Sequence, residues 1–222
     1  MFERTKLLIG SEKVEKIKNT KVLLLGVGGV GGYAFESLLR AGIGTIIIVD
    51  NDCFDQTNLN RQLHANNDTI NNVKVDILEK VAKSINPECQ IIKINQFIDE
   101  NNYEELFKYK FDYVVDAIDT MKTKKLIIKK CLKEKIKIIS SMGMGGKIDA
   151  SKIKIMKIKD TSYDPIAKEI RHMIKKEKIS DKLMVVSSDE KANITSPIGS
   201  ISYVPAVAGL LCTNYVINDI IK

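Results

Sequence analysis

Apolar strand-like runs that alternate with amphipathic helical segments specify an α/β fold, a largely parallel sheet with helices on both faces. Short apolar runs recur at residues 21–26, 45–50, 90–95, 113–117 and 137–142. Helical periodicity fills most of the intervals between them. The hexapeptide Gly26-Val27-Gly28-Gly29-Val30-Gly31 stands between the first run and a helix, the setting of a Rossmann-like nucleotide turn.

Taken in order, the N-terminal segment MFERTKLLIG precedes the sheet as a helix and lacks the long apolar stretch of a secretory signal. The glycines of the hexapeptide allow phosphate to approach the backbone, while the N–H groups and dipole of the following helix attract its charge. Asp50 closes the second run, about 20 residues beyond the turn, where an acid can accept hydrogen bonds from ribose hydroxyls. Residues 121–136 form a cover helix with Leu126, Ile127, Ile128, Cys131, Leu132 and Ile136 as its buried stripe and its lysines as a solvated face.

After Met144-Gly145-Gly146 the pattern changes. Residues 151–159 alternate lysine with apolar side chains, as an exposed antiparallel strand does. Asp164 and Pro165 supply an N-cap and a first turn for a helix over 164–178, with Ile166, Ile170, Met173 and Ile174 on one side and Lys168, Arg171, His172, Lys175 and Lys176 on the other. A last strand over 183–187 precedes a polar stretch, and Pro205 opens an apolar C-terminal helix. Residues 1–150, with the N-terminal helix, thus form a nucleotide-binding core. Residues 151–222 form an antiparallel C-terminal extension for substrate and dimer contacts within the same globular unit.

Composition narrows the function. A chain of 222 residues with 44% hydrophobic and 28% charged residues can bury one good core, which argues against disorder. No apolar stretch approaches the length of a membrane span, so a cytoplasmic location without membrane contact is the expectation. The four cysteines, Cys53, Cys89, Cys131 and Cys212, form no C-x-x-C pair, so neither a structural zinc site nor a disulfide framework is indicated. A net charge of +7 permits nucleic-acid contact.

Beyond Asp50 come Asp52, then Asn58-Leu59-Asn60-Arg61-Gln62, then Lys74, then Asp116-Ala117-Ile118-Asp119, an ordered set that hydride transfer does not need. In this order the residues resemble the adenylating superfamily of ubiquitin-activating enzymes and their bacterial relatives ThiF, MoeB and HesA. The resemblance implies ATP rather than NAD on the glycine-rich unit, and the joining of a carboxylate to AMP with release of pyrophosphate. Both reactants are anionic, so such a site must neutralise charge and align the attack on the α-phosphate.

By this resemblance Gly26, Gly28, Gly29 and Gly31 form the phosphate turn, Asp50 holds the ribose, and Asp52 belongs to the nucleotide site. Arg61 and Lys74 hold the phosphates, Asn58 and Gln62 orient the nucleotide, and Asp119 binds Mg²⁺. Arg4 matches an arginine that, in the superfamily, reaches the triphosphate of the partner subunit in a homodimer. Arg4, Arg61, Lys74 and Asp119 are thereby the expected catalytic group. Each also has a plainer reading: a terminal arginine, a loop cap, a solvated helix lysine and a cap of the next helix. His64 lies beside the expected ATP loop, where a structural hydrogen bond suits it better than proton transfer.

Superfamily members that charge sulfur-carrier proteins commonly bind zinc through C-x-x-C pairs, and ubiquitin-type enzymes carry a catalytic cysteine. This chain has no such pair, and no cysteine between Met142 and Ala208. The segments Asn60-Arg61-Gln62-Leu63-His64-Ala65, Ile85-Asn86-Pro87-Glu88-Cys89, Gly145-Gly146-Lys147-Ile148-Asp149 and Asp164-Pro165-Ile166-Ala167, with Gly199-Ser200 and Val204-Pro205-Ala206, are similar to the tRNA threonylcarbamoyladenosine dehydratase family.

That resemblance implies a tRNA-modifying enzyme that adenylates the threonyl carboxylate of a modified adenosine and closes a ring with loss of AMP. It implies tRNA as partner, ATP and Mg²⁺ as cofactors, and a homodimer. A monovalent cation remains open, and a sulfur-transfer partner protein has no clear counterpart in the sequence. Two other readings remain at this point: an adenylating activator of a ubiquitin-like sulfur carrier, and a non-enzymatic NAD-binding regulator.

Overall fold

The computed structural model describes residues 1–193 and 195–222. Two short helices, α1 (Glu3–Ile9) and α2 (Ser11–Lys18), break at Gly10 and lead into β1 (Lys21–Leu25). Then come α3 (Gly31–Ala41), β2 (Thr45–Val49), α4 (Lys74–Ile85), β3 (Gln90–Ile94) and β4 (Tyr113–Asp116). The chain continues through α5 (Met121–Glu134), β5 (Lys137–Ser141), β6 (Ile153–Lys157), α6 (Pro165–Glu177), β7 (Met184–Ser188) and α7 (Tyr203–Ile220).

The seven strands form one sheet in the order β3-β2-β1-β4-β5-β7-β6. All neighbours are parallel except β6 and β7, so the α/β architecture with an antiparallel edge pair is as the sequence indicates. Strand β2 is buried at every position, which suits a strand with helices on both sides. From β3 the chain crosses to β4 on the far side of β1, which opens a crevice beyond the carboxyl ends of β1 and β4.

Two apolar clusters fill the two faces. One gathers Leu24, Phe35, Leu38 and Ile48 with Val204 and Cys212 of α7; the other gathers Leu23, Ile47, Ile127 and Cys131 with Ile170 and Ile174 of α6. Helix α7 can lie close on α3 because Gly209 faces the Val30 carbonyl, where a Cβ would come within 2.3 Å.

Several local readings change. The exposed strand read at 151–159 shortens to β6, because the 3₁₀ turns Ala150–Lys152 and Ile158–Asp160 bracket it. Helix α7 starts at Tyr203, with Pro205 inside its first turn, where the missing N–H leaves no bond unmade. Most consequentially, the lysines of the 121–136 helix are not a uniformly solvated face, since Lys124 is fully buried. The cap expected at Asp164 is present: its carboxylate accepts from the Ala167 N–H at 2.9 Å.

Candidate active site

The crevice begins at the glycine turn. Gly26 has a left-handed φ of 78°, and a Cβ on Gly31 would lie 1.8 Å from the Gly26 carbonyl, so the chain can fold back into α3 only without side chains there. The Asp50 carboxylate accepts from the Val27 N–H at 2.8 Å and the Asp52 N–H at 2.9 Å, which ties the end of β2 to the turn. Gly28, Gly29 and Val30 before α3 stay partly exposed, so the helix start remains within reach of an anion.

The 51–73 connection folds over this turn. The space where Gly29 would carry a Cβ is bordered by Arg61 at 3.5 Å and Pro205 of α7 at 3.3 Å, and Gln62 borders Gly28 at 3.6 Å. Arg61 Nη1 donates to the Thr57 carbonyl at 2.6 Å and to Asn60 Oδ1 at 3.0 Å, which fixes the guanidinium and leaves its other N–H groups for an anion. Gln62 is buried, and among the described residues its Oε1 has no partner, so its amide is available to a nucleotide. Asn58 is already engaged: it completes a capping box with Asp55.

Lys74 is not the solvated lysine that its helix position suggests. It is buried at the start of α4 and pairs with Asp52 at 3.0 Å, while the Asp52 side chain is itself largely exposed. The pair lies next to Asp50 through the Asp52 backbone. Asp119 follows β4 on an exposed loop, and among the described residues it forms no ion pair. It does not cap α5, whose N-cap Thr120 makes no side-chain capping bond. An exposed carboxylate whose partner is the Thr120 hydroxyl at 3.4 Å suits Mg²⁺, which uses one or two carboxylates together with substrate phosphates and water.

Arg4 is the one expected site residue that the fold leaves apart. Its helix α1 is anchored through Phe2, which packs on Gly42 between α3 and β2, at the amino end of the strands and so at the opposite end from the crevice. His64 is nearly buried, with Nε2 3.5 Å from Glu36. Burial lowers its pKa from the ordinary histidine value, and Glu36 opposes this more weakly. Burial pushes the thiols up to about 11 at Cys89 and about 12 at Cys131 and Cys212, and Cys53 alone is exposed.

Two buried ion pairs brace the crevice, neither singled out from the sequence. Asp116 accepts from Lys124 at 2.7 Å, Ser140 at 2.6 Å and the Ile118 N–H at 3.2 Å, so it fixes the root of the Asp119 loop. Lys147 donates to the Gly143 carbonyl at 2.5 Å and to Asp164 at 3.0 Å, joining the loop after β5 to the start of α6. The signal for Lys124 was present: it stands three, four and seven residues before Ile127, Ile128 and Cys131, on the buried stripe itself.

The description ThiF family matches residues 2–222. The chain belongs to the ThiF family. Within it, the chain is 41% identical to the tRNA threonylcarbamoyladenosine dehydratase of Bacillus subtilis (strain 168), over 100% of this chain and 94% of that protein. It is 33% identical to the dehydratase of Escherichia coli (strain K12) over 78% of this chain, although that alignment spans only 65% of the E. coli protein. The crystal structure of E. coli tRNA N6-threonylcarbamoyladenosine dehydratase, TcdA, in complex with ATP superposes with a TM-score of 0.93 and 30% identity, covering 99% of this chain and 93% of that one. The ATP in that structure belongs to the E. coli relative; in this chain the glycine turn at the head of α3 is the feature suited to an anion.

Proposed function

We propose that this protein is an ATP-dependent tRNA threonylcarbamoyladenosine dehydratase. The observation that carries the reading is the placement of Arg61 and the unpaired Gln62 amide over Gly28 and Gly29. A held cation beside the glycine turn supports a phosphate site at the start of α3, and the ordered set Asn58, Arg61, Gln62, Lys74 and Asp119 is one that hydride transfer does not need. The two other readings are not favoured, since the whole-length relative is a dehydratase.

The triphosphate lies on the glycine turn, and Arg61 draws charge from the α-phosphate while the threonyl carboxylate of the modified adenosine attacks it. Lys74 supplies a second cation for the phosphates, and Asp50 faces the ribose. Asp119 would hold Mg²⁺, which would offset phosphate charge. Pyrophosphate leaves, the carbamoyl nitrogen of the same nucleoside attacks the acyl carbon, and AMP departs with the carboxylate oxygen. The net change is loss of water. No thiol takes part, in keeping with the burial of Cys89, Cys131 and Cys212.

The working unit is a homodimer in the cytoplasm. Helix α1 has no buried residue and exposes Leu7 and Leu8, an apolar face suited to a second copy that would bring Arg4 to the neighbouring triphosphate. No helix among the described residues is long and apolar enough to cross a membrane. The exposed cations of α6 face tRNA. Mass spectrometry of tRNA nucleosides from cells with and without the gene tests the activity. The cyclic nucleoside should vanish on deletion and its open form accumulate, whereas an unchanged ratio would discard the assignment.

A further inference from the structure

The cations of α5 and α6 differ in their partners. Every lysine of α5 has a carboxylate within ion-pair distance, and Lys125, Lys129 and Lys133 take theirs, Glu169 and Glu177, from α6. In contrast, among the described residues, no lysine or arginine from Lys157 to Lys191 has one. Helix α5 thereby neutralises the acids of α6 and leaves its cations unopposed along the β6–β7 edge.

Four of these cations meet at a cleft of about 400 Å³ at the C-terminal end of α6, where Lys159, Arg171, Lys175 and Lys178 surround a floor that includes Ile174 and Ile179. Among the described residues, Asp181 is the only acid on its rim. The helix dipole accounts for cations in the last turn of α6, such as Lys175. It does not account for Lys159, which reaches the cleft from the turn after β6. Arg171 is held against the wall by the Thr161 carbonyl at 3.0 Å and by the Thr161 hydroxyl. Cations without counter-charge over an apolar floor suit a ribose-phosphate backbone, whose charge the first can pair and whose sugars the second can cover.

We infer that this cleft is a second tRNA contact, gripping backbone phosphates away from the nucleoside held in the crevice; the inference rests on the function proposed above. The start of α6 is pinned beside the crevice by the Lys147–Asp164 pair, and its 13 residues reach about 20 Å from there at ~1.5 Å each. RNA that fills both sites must therefore extend beyond the reacting nucleotide.

The test is a triple variant, Lys159→Gln, Lys175→Gln and Lys178→Gly, the last at a left-handed position that glycine accepts without strain. A control triple, Lys21→Gln, Lys80→Gln and Lys110→Gln, removes equal charge from cations that also lack a carboxylate partner among the described residues. Both should melt as the wild type does. Binding of an anticodon stem-loop RNA is followed across a salt series. The cleft triple should bind about tenfold more weakly, with the log–log salt slope shallower by about 2. It should raise KM for modified tRNA and leave kcat unchanged. Equal slope losses in both triples, an unchanged slope, or a fall in kcat at constant KM would each overturn the second contact. Failure of the wild-type protein to cyclise saturating modified tRNA would instead strike the proposed activity, which the binding series does not measure.

Discussion

Replacing Lys124 with Met keeps most of the side-chain volume but leaves the Asp116 carboxylate without its counter-charge, in a place where both side chains are fully buried. Breaking a buried pair from one side costs about 3–5 kcal/mol, against a total stability of about 5–15 kcal/mol for a folded domain. At ~2–4 °C per kcal/mol for a chain of this size, Tm should fall by about 10 °C. The double variant Lys124→Met/Asp116→Asn removes both charges, and the Asn side chain can still bond Ser140 and the Ile118 N–H. It should recover most of the loss, whereas independent effects would add. Urea denaturation of the wild type, the two singles and the double closes the cycle. A Lys124→Met cost below ~1 kcal/mol, or a double variant as unstable as the sum of the singles, would refute the view that this pair is a satisfied buried charge bracing the Asp119 loop.

Arg61→Ala or Asp119→Ala should each lower AMP formation by about 10²-fold or more with the fold intact, and near-normal turnover at saturating Mg²⁺ and ATP would remove that residue from the site. Mixing Arg4→Ala with Asp119→Ala subunits should restore activity if Arg4 acts across a dimer; no recovery despite demonstrated subunit exchange would count against it. The lowered His64 pKa means that below about pH 6.5 the unfolded chain binds the proton first. Stability should therefore fall as pH drops through that value toward the folded pKa, and His64→Gln should flatten that part of the profile; an unchanged slope would show that other groups set it.

The sheet was readable because its strands carry unbroken apolar runs and its turn carries glycine where no Cβ fits, both consequences of local sterics. The expectation for Asp50, Arg61 and Asp119 came from their order along the chain. Partnership across the fold was not. Nothing local distinguishes Lys74, buried against a residue 22 positions earlier, from Lys80 on the exposed side of the same helix. Lys124 was misread because the lysines around it set the expectation, although its spacing placed it on the stripe. The contrast between α5 and α6 was equally hidden, since both sequences are lysine-rich and only the pairing of Glu169 and Glu177 separates them.

Pro205 of α7 beside Gly29, and Gly209 against Val30, have a consequence for how the protein is made. The phosphate turn is synthesised well before α7, which forms one of its walls. Until that helix docks, the turn stands open to water on one side, and β5 still awaits β7 as a neighbour. A chain in which α7 has not docked should therefore be blind to ATP, so that nucleotide binding reports on the docking of that helix.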